Sequence, residues 1–443
     1  MGGGVTGLTC AFYLLRAGAD VTVIESRPEM GGLCSAFDFG PFTWDKFYHC
    51  ILTSDRPLLQ LIEELGLSSE LRWTPTKVGF FADNTLHSMS SSLDFLRFPP
   101  LTLWQKFRLG AGILRAVRIR DGRVLEGELA SDWLKRVFGS ANHDKFWEPL
   151  LKCKLGACRD EASAAFMWAT ISRLYSTRES GASRKECLGY VRGGYRTILE
   201  RLTEVIQRLG GNILTGIPVQ KISVNNGVRV VSGNQEIRFD TVISTLPSPI
   251  LASITPQLSE TYLRKLLQVR YLGVVCVALV LKKQLSPYYV TNLLDDVPFT
   301  GIIEMTNLIS KDETEGYHLV YLPKYTSPGD PLFEASEDEI WKSFWPGLRR
   351  VFPDLQQADI AARHLFRERF VQPIPVLHYS DIVPGMQTGL EDLILANSTQ
   401  VINSTLNNNE MVKIARRAVE LVRSPRAQSA GDTAVSIPAA THQ

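Results

Sequence analysis

The chain begins with the segment MGGGVTGLTCAFYLLRAGADVTVIES, residues 1–26, and this segment decides how the rest of the sequence is interpreted. Gly2, Gly4 and Gly7 have the spacing G-x-G-x-x-G. In that pattern glycines form a tight turn, let the backbone approach a pyrophosphate and let a helix pack closely on a strand. The spacing therefore predicts a dinucleotide site, in preference to a glycine-rich turn before an ordinary helix.

The residues that follow the glycines strengthen this prediction. Apolar positions between Leu8 and Leu15 predict a helix that ends at Gly18, and residues 21–24 predict a buried parallel strand. Glu25 comes next, where an acidic residue binds an adenosine ribose. A parallel strand normally precedes such a loop, so we expect the first strand of the domain to be truncated here, with apolar residues before Gly2 in the natural chain.

Composition narrows the class of protein. The 443 residues, of which 44% are hydrophobic, predict two or three globular units. A net charge of +2 with interspersed acids and bases argues against a nucleic-acid partner. Seven scattered cysteines predict reduced thiols in a cytoplasmic protein, and the seven histidines lack metal-ligand spacing, so no metal is expected.

Two segments lie outside this scheme. Residues 101–120 mix apolar and basic side chains, which predicts an amphipathic helix. Such a helix either contacts a membrane surface or caps a domain, and the second interpretation is the more common one. Residues 424–443 lack periodicity and predict a flexible tail.

The nucleotide-binding signals fall in three separated blocks, which predict a discontinuous domain. The expected class is α/β (α+β overall), with a Rossmann-like nucleotide-binding domain built from residues 1–83, 189–255 and 385–423. Residues 84–188 and 256–384 are expected to form an inserted substrate domain, helical in its first part and containing a mixed sheet in its second.

Five features together resemble the flavin-containing amine oxidase superfamily, in particular the branch of protoporphyrinogen oxidases and carotenoid desaturases. They cover nearly the whole chain. They are the glycine loop with Glu25, the double-glycine segment RPEMGGL (27–33), the segment GPFTWDKFYH (40–49), the segments 193–195, 217–219 and 239–247, and the landmarks FWEPLL (146–151) and IEMTN (303–307).

The resemblance implies FAD as the cofactor, with Gly31 and Gly32 along its phosphates and ribityl chain and the backbone of Val219 at its adenine. One region departs from the family pattern, because Asn397 and the segment beginning at Leu406 replace an acidic, glycine-rich helix start. Covalent attachment of the flavin is not expected. The predicted cofactor site comprises Gly2, Gly4, Val5, Thr6, Gly7, Glu25, Ser26, Arg27, Gly31, Gly32, Leu33, Val219, Asn397 and Leu406.

The catalytic candidates are Tyr48, His49, Lys282 and Glu304. Tyr48 and His49 follow the segment that passes the flavin ring in the resembled branch, although packing and strand capping explain them equally well. Lys282 is similar to a lysine that holds water at the flavin in amine oxidases, but lysines at strand ends usually face solvent. Glu304 ends an apolar strand and points either into a cavity or back to turn amides.

The leading hypothesis is an FAD-dependent oxidoreductase that removes hydride from an apolar, cyclic or amine-type small molecule in an inter-domain cavity. The second is a non-redox flavoenzyme similar to UDP-galactopyranose mutase, for which Arg184, Lys185 and Arg192 would hold a diphosphate. The third is a flavin-free binding protein similar to Rab GDP-dissociation inhibitors. Peripheral membrane contact and the oligomeric state remain open at this point.

Overall fold

The computed structural model describes residues 1–179 and 187–423. Within those ranges the helices are α1 Val5–Arg16, α2 Arg56–Glu64, α3 Ser92–Arg97, α4 Leu103–Ala116, α5 Ala130–Phe138, α6 Ser140–Asn142, α7 Glu148–Leu155, α8 Ala164–Glu179, α9 Tyr195–Arg208, α10 Ser248–Ile254, α11 Glu260–Gln268, α12 Glu337–Val351, α13 Tyr379–Ile382 and α14 Asn408–Arg423. The strands are β1 Thr22–Ile24, β2 Ala36–Asp38, β3 Thr43–Asp45, β4 Leu71–Pro75, β5 Val78–Ala82, β6 Thr85–Ser88, β7 Cys187–Val191, β8 Asn212–Leu214, β9 Lys221–Val224, β10 Val228–Ser232, β11 Gln235–Phe239, β12 Val242–Ser244, β13 Tyr271–Leu281, β14 Val290–Leu293, β15 Ile302–Glu304, β16 His318–Thr326, β17 Ile360–Pro373 and β18 Leu393–Leu395.

Two short parallel strand pairs join the three sequence blocks. β1 pairs with β8, and β12 pairs with β18. The backbone of Met1 and Gly2 connects the pairs, because Gly2 N donates to Ile24 O (2.8 Å) and Thr245 N donates to Met1 O (2.9 Å). These two residues therefore occupy the place in which the first parallel strand was expected.

Helix α1 packs between this layer and two other helices. It contacts α9 and α14, which come from the second and third blocks. Leu8 and Phe12 of α1 are buried in one cluster with Leu202 of α9 and Val412 of α14. Burial of these apolar side chains holds segments that are hundreds of residues apart in sequence around the glycine loop.

A seven-stranded sheet lies at the centre of the inserted region, in the order β17-β13-β16-β15-β14-β5-β6. Every residue of β13 is buried, and alternate side chains enter different clusters. Val275 and Val277 pack against α12, whereas Val274 and Cys276 face the aromatic segment around Phe39. The strands β5 and β6 belong to this sheet, although they lie within or beside the first predicted block (1–83).

Four helices of the inserted region form a layer on the sheet's flank. Helices α4, α5, α7 and α8 bury Leu109, Trp133, Leu151 and Met167 in a shared cluster. In the part of the chain that the structure describes, every helix is too short or too polar to cross a membrane. The expected combination of a mixed sheet, helices and a discontinuous α/β unit is confirmed.

Candidate cofactor and active site

The glycine loop has the geometry that its spacing predicts. Gly2 has a φ of +97°, a conformation that other residues rarely adopt. A Cβ on Gly7 would lie 1.9 Å from the carbonyl oxygen of Gly2, so no larger residue fits where α1 meets the loop. Gly4 is the N-cap of α1 and provides no side-chain cap. The first amides of α1, at Val5 and Thr6, therefore form a positive helix end suited to phosphate.

Glu25 lies directly against this loop and is only 9% exposed. Its carboxylate accepts hydrogen bonds from Gly3 N (2.6 Å), Arg27 N (2.9 Å) and Ser26 Oγ (3.1 Å). The side chain of Arg27 forms an ion pair of 2.6 Å with Glu368 on β17. The acidic group is thus fixed at the end of β1, and the next turn is tied to the central sheet.

The double-glycine turn and the second block meet the same loop. Gly31 N donates to Gly3 O (2.8 Å), and Ile217 N donates to Glu25 O (2.9 Å). Gly31 has a φ of +124°, and a Cβ there would lie 2.8 Å from Ser35 Cα. Val219 follows two residues after Ile217 and packs against a neighbouring apolar cluster. The segments that carry Glu25, Gly31 and Val219 therefore converge.

The third block contributes amides and asparagines where the family pattern has an acid. Asn397 Nδ2 donates to Leu246 O (2.7 Å) and Asn397 Oδ1 accepts from Thr399 N (3.0 Å), so its side chain caps backbone. Asn408 belongs to the segment that begins at Leu406, and its Nδ2 lies 3.3 Å from Cys34 Sγ. The run of three asparagines at the start of α14 predicts such polar contacts.

These residues fit FAD. The Gly2–Gly7 contact leaves a cradle that a Cβ would fill, and α1 presents uncapped amides to it. Beside the double-glycine turn, the buried Ser35 Oγ has no hydrogen-bond partner among the described residues. The α1 amides would hold the phosphates and Glu25 the ribose, while Leu33 and Leu406 would border the ring end of the cofactor.

His49 lies in a buried polar group beside the double-glycine turn. Its Nε2 is 3.5 Å from Cys34 Sγ, and its Nδ1 is 3.8 Å from Asp45 Oδ2. Burial alone would lower the pKa of His49, but the neighbouring Cys34 and Asp45 outweigh burial and raise it to about 10. Burial raises the pKa of Asp45, which also accepts a 3.0 Å hydrogen bond from Tyr195 N. Cys34 and Asp45 therefore favour the protonated form of the His49 imidazole at neutral pH.

Tyr48 points into an apolar cluster between the cofactor segments and the central sheet. Its hydroxyl is 2.9 Å from the hydroxyl of Tyr325 on β16. Burial raises the pKa of Tyr48 well above its usual value, with Tyr325 adding to the shift. We call this group the aromatic cluster; its members include Phe39, Phe42, Trp44, Phe47, Tyr289 and Tyr321, with Leu33, Phe37, Tyr48, Tyr325, Phe366 and Leu406 packed against them.

The two other catalytic candidates lie in different surroundings. Glu304 is buried, and its Oε2 accepts from the amides of Leu285 and Ser286, each at 3.1 Å. Burial raises the pKa of Glu304 to about 7. Lys282 is exposed and its Nζ donates to Ala358 O (2.9 Å). Glu304 thus supports a loop and Lys282 lies at the surface, so we do not include either in the proposed site.

One of the three cations named for the mutase alternative, Arg192, lies in the described part of the chain. Arg192 Nε lies 3.8 Å from a carboxylate oxygen of Glu313 and 4.0 Å from one of Glu70, so its guanidinium already has two acidic partners. Arg184 and Lys185 fall outside the described residues. The surroundings of Arg192 therefore give no specific support to a sugar-nucleotide site.

Comparison with known proteins identifies the family. Residues 5–399 match the flavin-containing amine oxidoreductases. The chain belongs to this family. It is 24% identical to 15-cis-phytoene desaturase of Synechococcus elongatus over 58% of each chain, and 23% identical to protoporphyrinogen oxidase 1 of Spinacia oleracea over 88% of this chain and 77% of that one. The chain thus spans little more than half the length of the cyanobacterial relative.

The fold is also similar to those of solved structures. A crystal structure of an oxidoreductase from Methanosarcina mazei superposes with a TM-score of 0.76 at 20% identity, covering 95% of this chain and 98% of that one. The resemblance inferred from the five sequence features is confirmed. Membership in a family of FAD-dependent oxidoreductases favours FAD as the cofactor and disfavours a flavin-free binding protein.

Proposed function

We propose that this protein is an FAD-dependent dehydrogenase that removes hydrogen from an extended or cyclic apolar substrate bound in the aromatic cluster. The observation that carries the proposal is the composition of that cluster. Leu33 and Leu406, from the cofactor-side segments, pack in it together with Tyr48, Tyr289 and Phe366. An apolar carbon skeleton would therefore lie directly beside the predicted ring end of the cofactor.

The residues of the chain supply binding, orientation and exclusion of water. FAD, when bound, would supply the acceptor for a hydride from a substrate C–H bond, and the proton lost from the neighbouring substrate atom would pass to water. Edge-to-face rings such as Phe37 and Phe366, with centroids 5.0 Å apart, provide apolar surface for the substrate. The hydroxyls of Tyr48 and Tyr325 keep their protons at neutral pH and act as hydrogen-bond groups, not as bases. The neighbours of His49 favour its protonated form, which would place a positive charge beside the double-glycine turn.

An apolar substrate is favoured over an amine. A buried ammonium group needs a carboxylate or other hydrogen-bond acceptors beside it, because its removal from water is otherwise too costly. Asp45 already binds Tyr195 N and neighbours His49, and Glu368 already pairs with Arg27. Relatives named for phytoene desaturation and protoporphyrinogen oxidation act on substrates of the apolar or cyclic class.

The experiment is anaerobic reduction of the FAD-loaded full chain by three probes: a polyene hydrocarbon in detergent, a porphyrinogen and a primary amine. We expect the polyene or the porphyrinogen to bleach the visible flavin band and to yield a dehydrogenated product. Bleaching by the amine alone, or by no probe in a protein whose flavin dithionite still reduces, would contradict the proposal. Turnover only with prereduced flavin, without net consumption of reductant, would support the mutase-like alternative.

A further inference from the structure

The helical pair α3–α4 carries an apolar face with no covering element in the described structure. Leu103, Trp104 and Phe107 of α4 are 74%, 69% and 67% exposed, and Leu114 is also exposed. The rings of Trp104 and Phe107 stack with centroids 5.7 Å apart. Leu93 and Leu96 of α3 are exposed as well. Large apolar side chains that cluster on a surface in this way mark an interaction site.

The exposed side chains of α4 lie on one side of the helix. At 3.6 residues per turn, Leu103, Trp104, Phe107 and Leu114 fall within an arc of roughly 100°. The buried residues of α4, which include Leu109, Gly112 and Ala116, lie on the opposite side and pack into the helical layer. The buried side of α4 therefore packs against the helical layer, whereas the exposed side chains on its other side do not contribute to the core.

Hydrogen bonds fix the shape of the pair. Thr102 and Gln105 form a reciprocal capping box at the start of α4. The buried Lys106 places Nζ 2.7 Å from Leu96 O, which ties α4 to the end of α3. The apolar surface is thus presented by a braced element and does not depend on partial unfolding.

The charges around this surface identify the partner. Residues 91–120 contain six basic residues and one acidic residue, whereas the whole chain has a net charge of only +2. Arg97, Arg108, Arg115, Arg118 and Arg120 are exposed. None of these five forms an ion pair with another residue whose side chain the structure describes, unlike Arg136 and Arg196, which pair with acids at 2.6 and 2.8 Å. Arginines left without acids beside exposed Trp, Phe and Leu match the phosphates and acyl chains of an anionic bilayer.

We propose that α3–α4 docks the protein on the surface of an anionic lipid bilayer, with Trp104 and Phe107 inserted at the level of the headgroups and the arginines on lipid phosphates. A second copy of the chain is a poorer occupant, because a two-fold contact would bring the same unpaired arginines together. The proposal is independent of the substrate assignment.

The test uses the FAD-loaded full chain and vesicles of phosphatidylcholine, with or without about 30% phosphatidylserine. We expect cosedimentation with the anionic vesicles that falls as salt rises from about 0.05 M to about 0.5 M. The double variants Trp104→Ser/Phe107→Ser and Arg115→Glu/Arg118→Glu should each bind about tenfold more weakly or worse. The matched controls Leu267→Ser and Arg264→Glu change exposed residues on α11 and should bind like the wild type.

Melting temperature and flavin content check that the variants remain folded, which their exposed positions predict. Wild-type protein that ignores anionic vesicles at low salt would overturn the proposal. So would α4 variants that bind as well as the wild type. A wild-type dimer that these substitutions dissociate would overturn it in favour of a contact between two copies of the chain.

Discussion

Tyr48 and Tyr325 show at the residue scale how burial sets the behaviour of a polar pair. Their hydroxyls share a hydrogen bond of 2.9 Å inside the aromatic cluster. Tyr48→Phe would leave the hydroxyl of Tyr325 without that partner, and we expect a loss of about 1–3 kcal/mol in the free energy of unfolding. Tyr48→Phe/Tyr325→Phe should be less destabilised than the sum of the two single variants. Denaturant unfolding of the four proteins measures this, and strictly additive losses would contradict it.

His49 gives a pH prediction with a defined sign. The pKa of His49 is about 10 in the folded protein, whereas its ordinary value, which we take for the unfolded chain, is 6.5. Between these two pH values the folded protein therefore holds a proton on His49 that the unfolded chain releases. The stabilisation is complete below pH 6.5 and is lost as the pH rises towards 10. His49→Gln should therefore remove most of this decline in unfolding free energy, which amounts to about 5 kcal/mol over that window.

The matched control for His49 is His378→Gln, at an exposed histidine 3.9 Å from Asp381. We expect this variant to keep the wild-type pH profile, because an exposed pair contributes little. Urea unfolding at several pH values measures both profiles. A His49→Gln profile parallel to the wild type would show that Cys34 and Asp45 do not hold a proton on the imidazole.

At the element scale, the close packing of α1 on the glycine loop depends on Gly7, although a helix does not need glycine at this position to form. Gly7→Ala would place a methyl group 1.9 Å from Gly2 O and push α1 away from the loop. We expect FAD affinity to fall about tenfold or more, because the α1 amides move away from the phosphates. The matched control is Gly110→Ala in α4, where nothing lies within 4 Å of a Cβ and alanine should stabilise by about 0.5–1 kcal/mol.

Fluorescence titration of the apoproteins with FAD measures the effect of both alanines. Equal affinities in the two variants would mean that the close packing of α1 on the loop is not needed for the cofactor. A Gly7→Ala protein that melts near the wild-type temperature but binds FAD weakly would separate the binding role of this glycine from its packing role.

Elements with strong periodicity could be predicted, and those without it could not. The apolar periodicity of residues 337–351 predicts a helix, and α12 has the same bounds, with Ser336 and Glu339 forming a capping box at its start. The apolar run 274–281 predicts a buried strand, and β13 contains this run but begins three residues earlier, at Tyr271. The strand β17 was missed because Arg363, Arg367 and Arg369 interrupt its pattern. In the structure Arg363 pairs with Glu337, and Arg369 pairs with Glu334, so an edge strand tolerates these charges.

At the scale of the whole molecule, one buried ion pair fastens the helical layer to the nucleotide-binding unit. Arg173 of α8 donates to both oxygens of Asp55, at 2.8 and 3.1 Å, just before α2. Arg173→Met would leave Asp55 buried without this guanidinium, and we expect a loss of about 3–5 kcal/mol. Arg173→Met/Asp55→Asn should recover part of it. Thermal unfolding measures both, and a double variant less stable than the single one would contradict the prediction.

Long-range pairing limits what one sequence reveals about the whole molecule. The three blocks could be predicted to meet, because each carries a local signal such as Glu25 or the double glycine. The parallel pairing of Val78–Ala82 with Val290–Leu293 could not, since no local periodicity records a partner so distant in sequence. The contact of Cys34 with Asn408 likewise joins residues 374 positions apart. Such contacts depend on the packing of the complete fold.

The central claim is that separated segments bind one FAD molecule along its length. The most direct measurement is amide hydrogen exchange of the apoprotein with and without one equivalent of FAD. We predict joint protection of residues 2–7, 25–35, 216–220 and 406–410, saturating at one FAD per chain. Protection confined to one of these segments, or no uptake of FAD at all, would contradict the account.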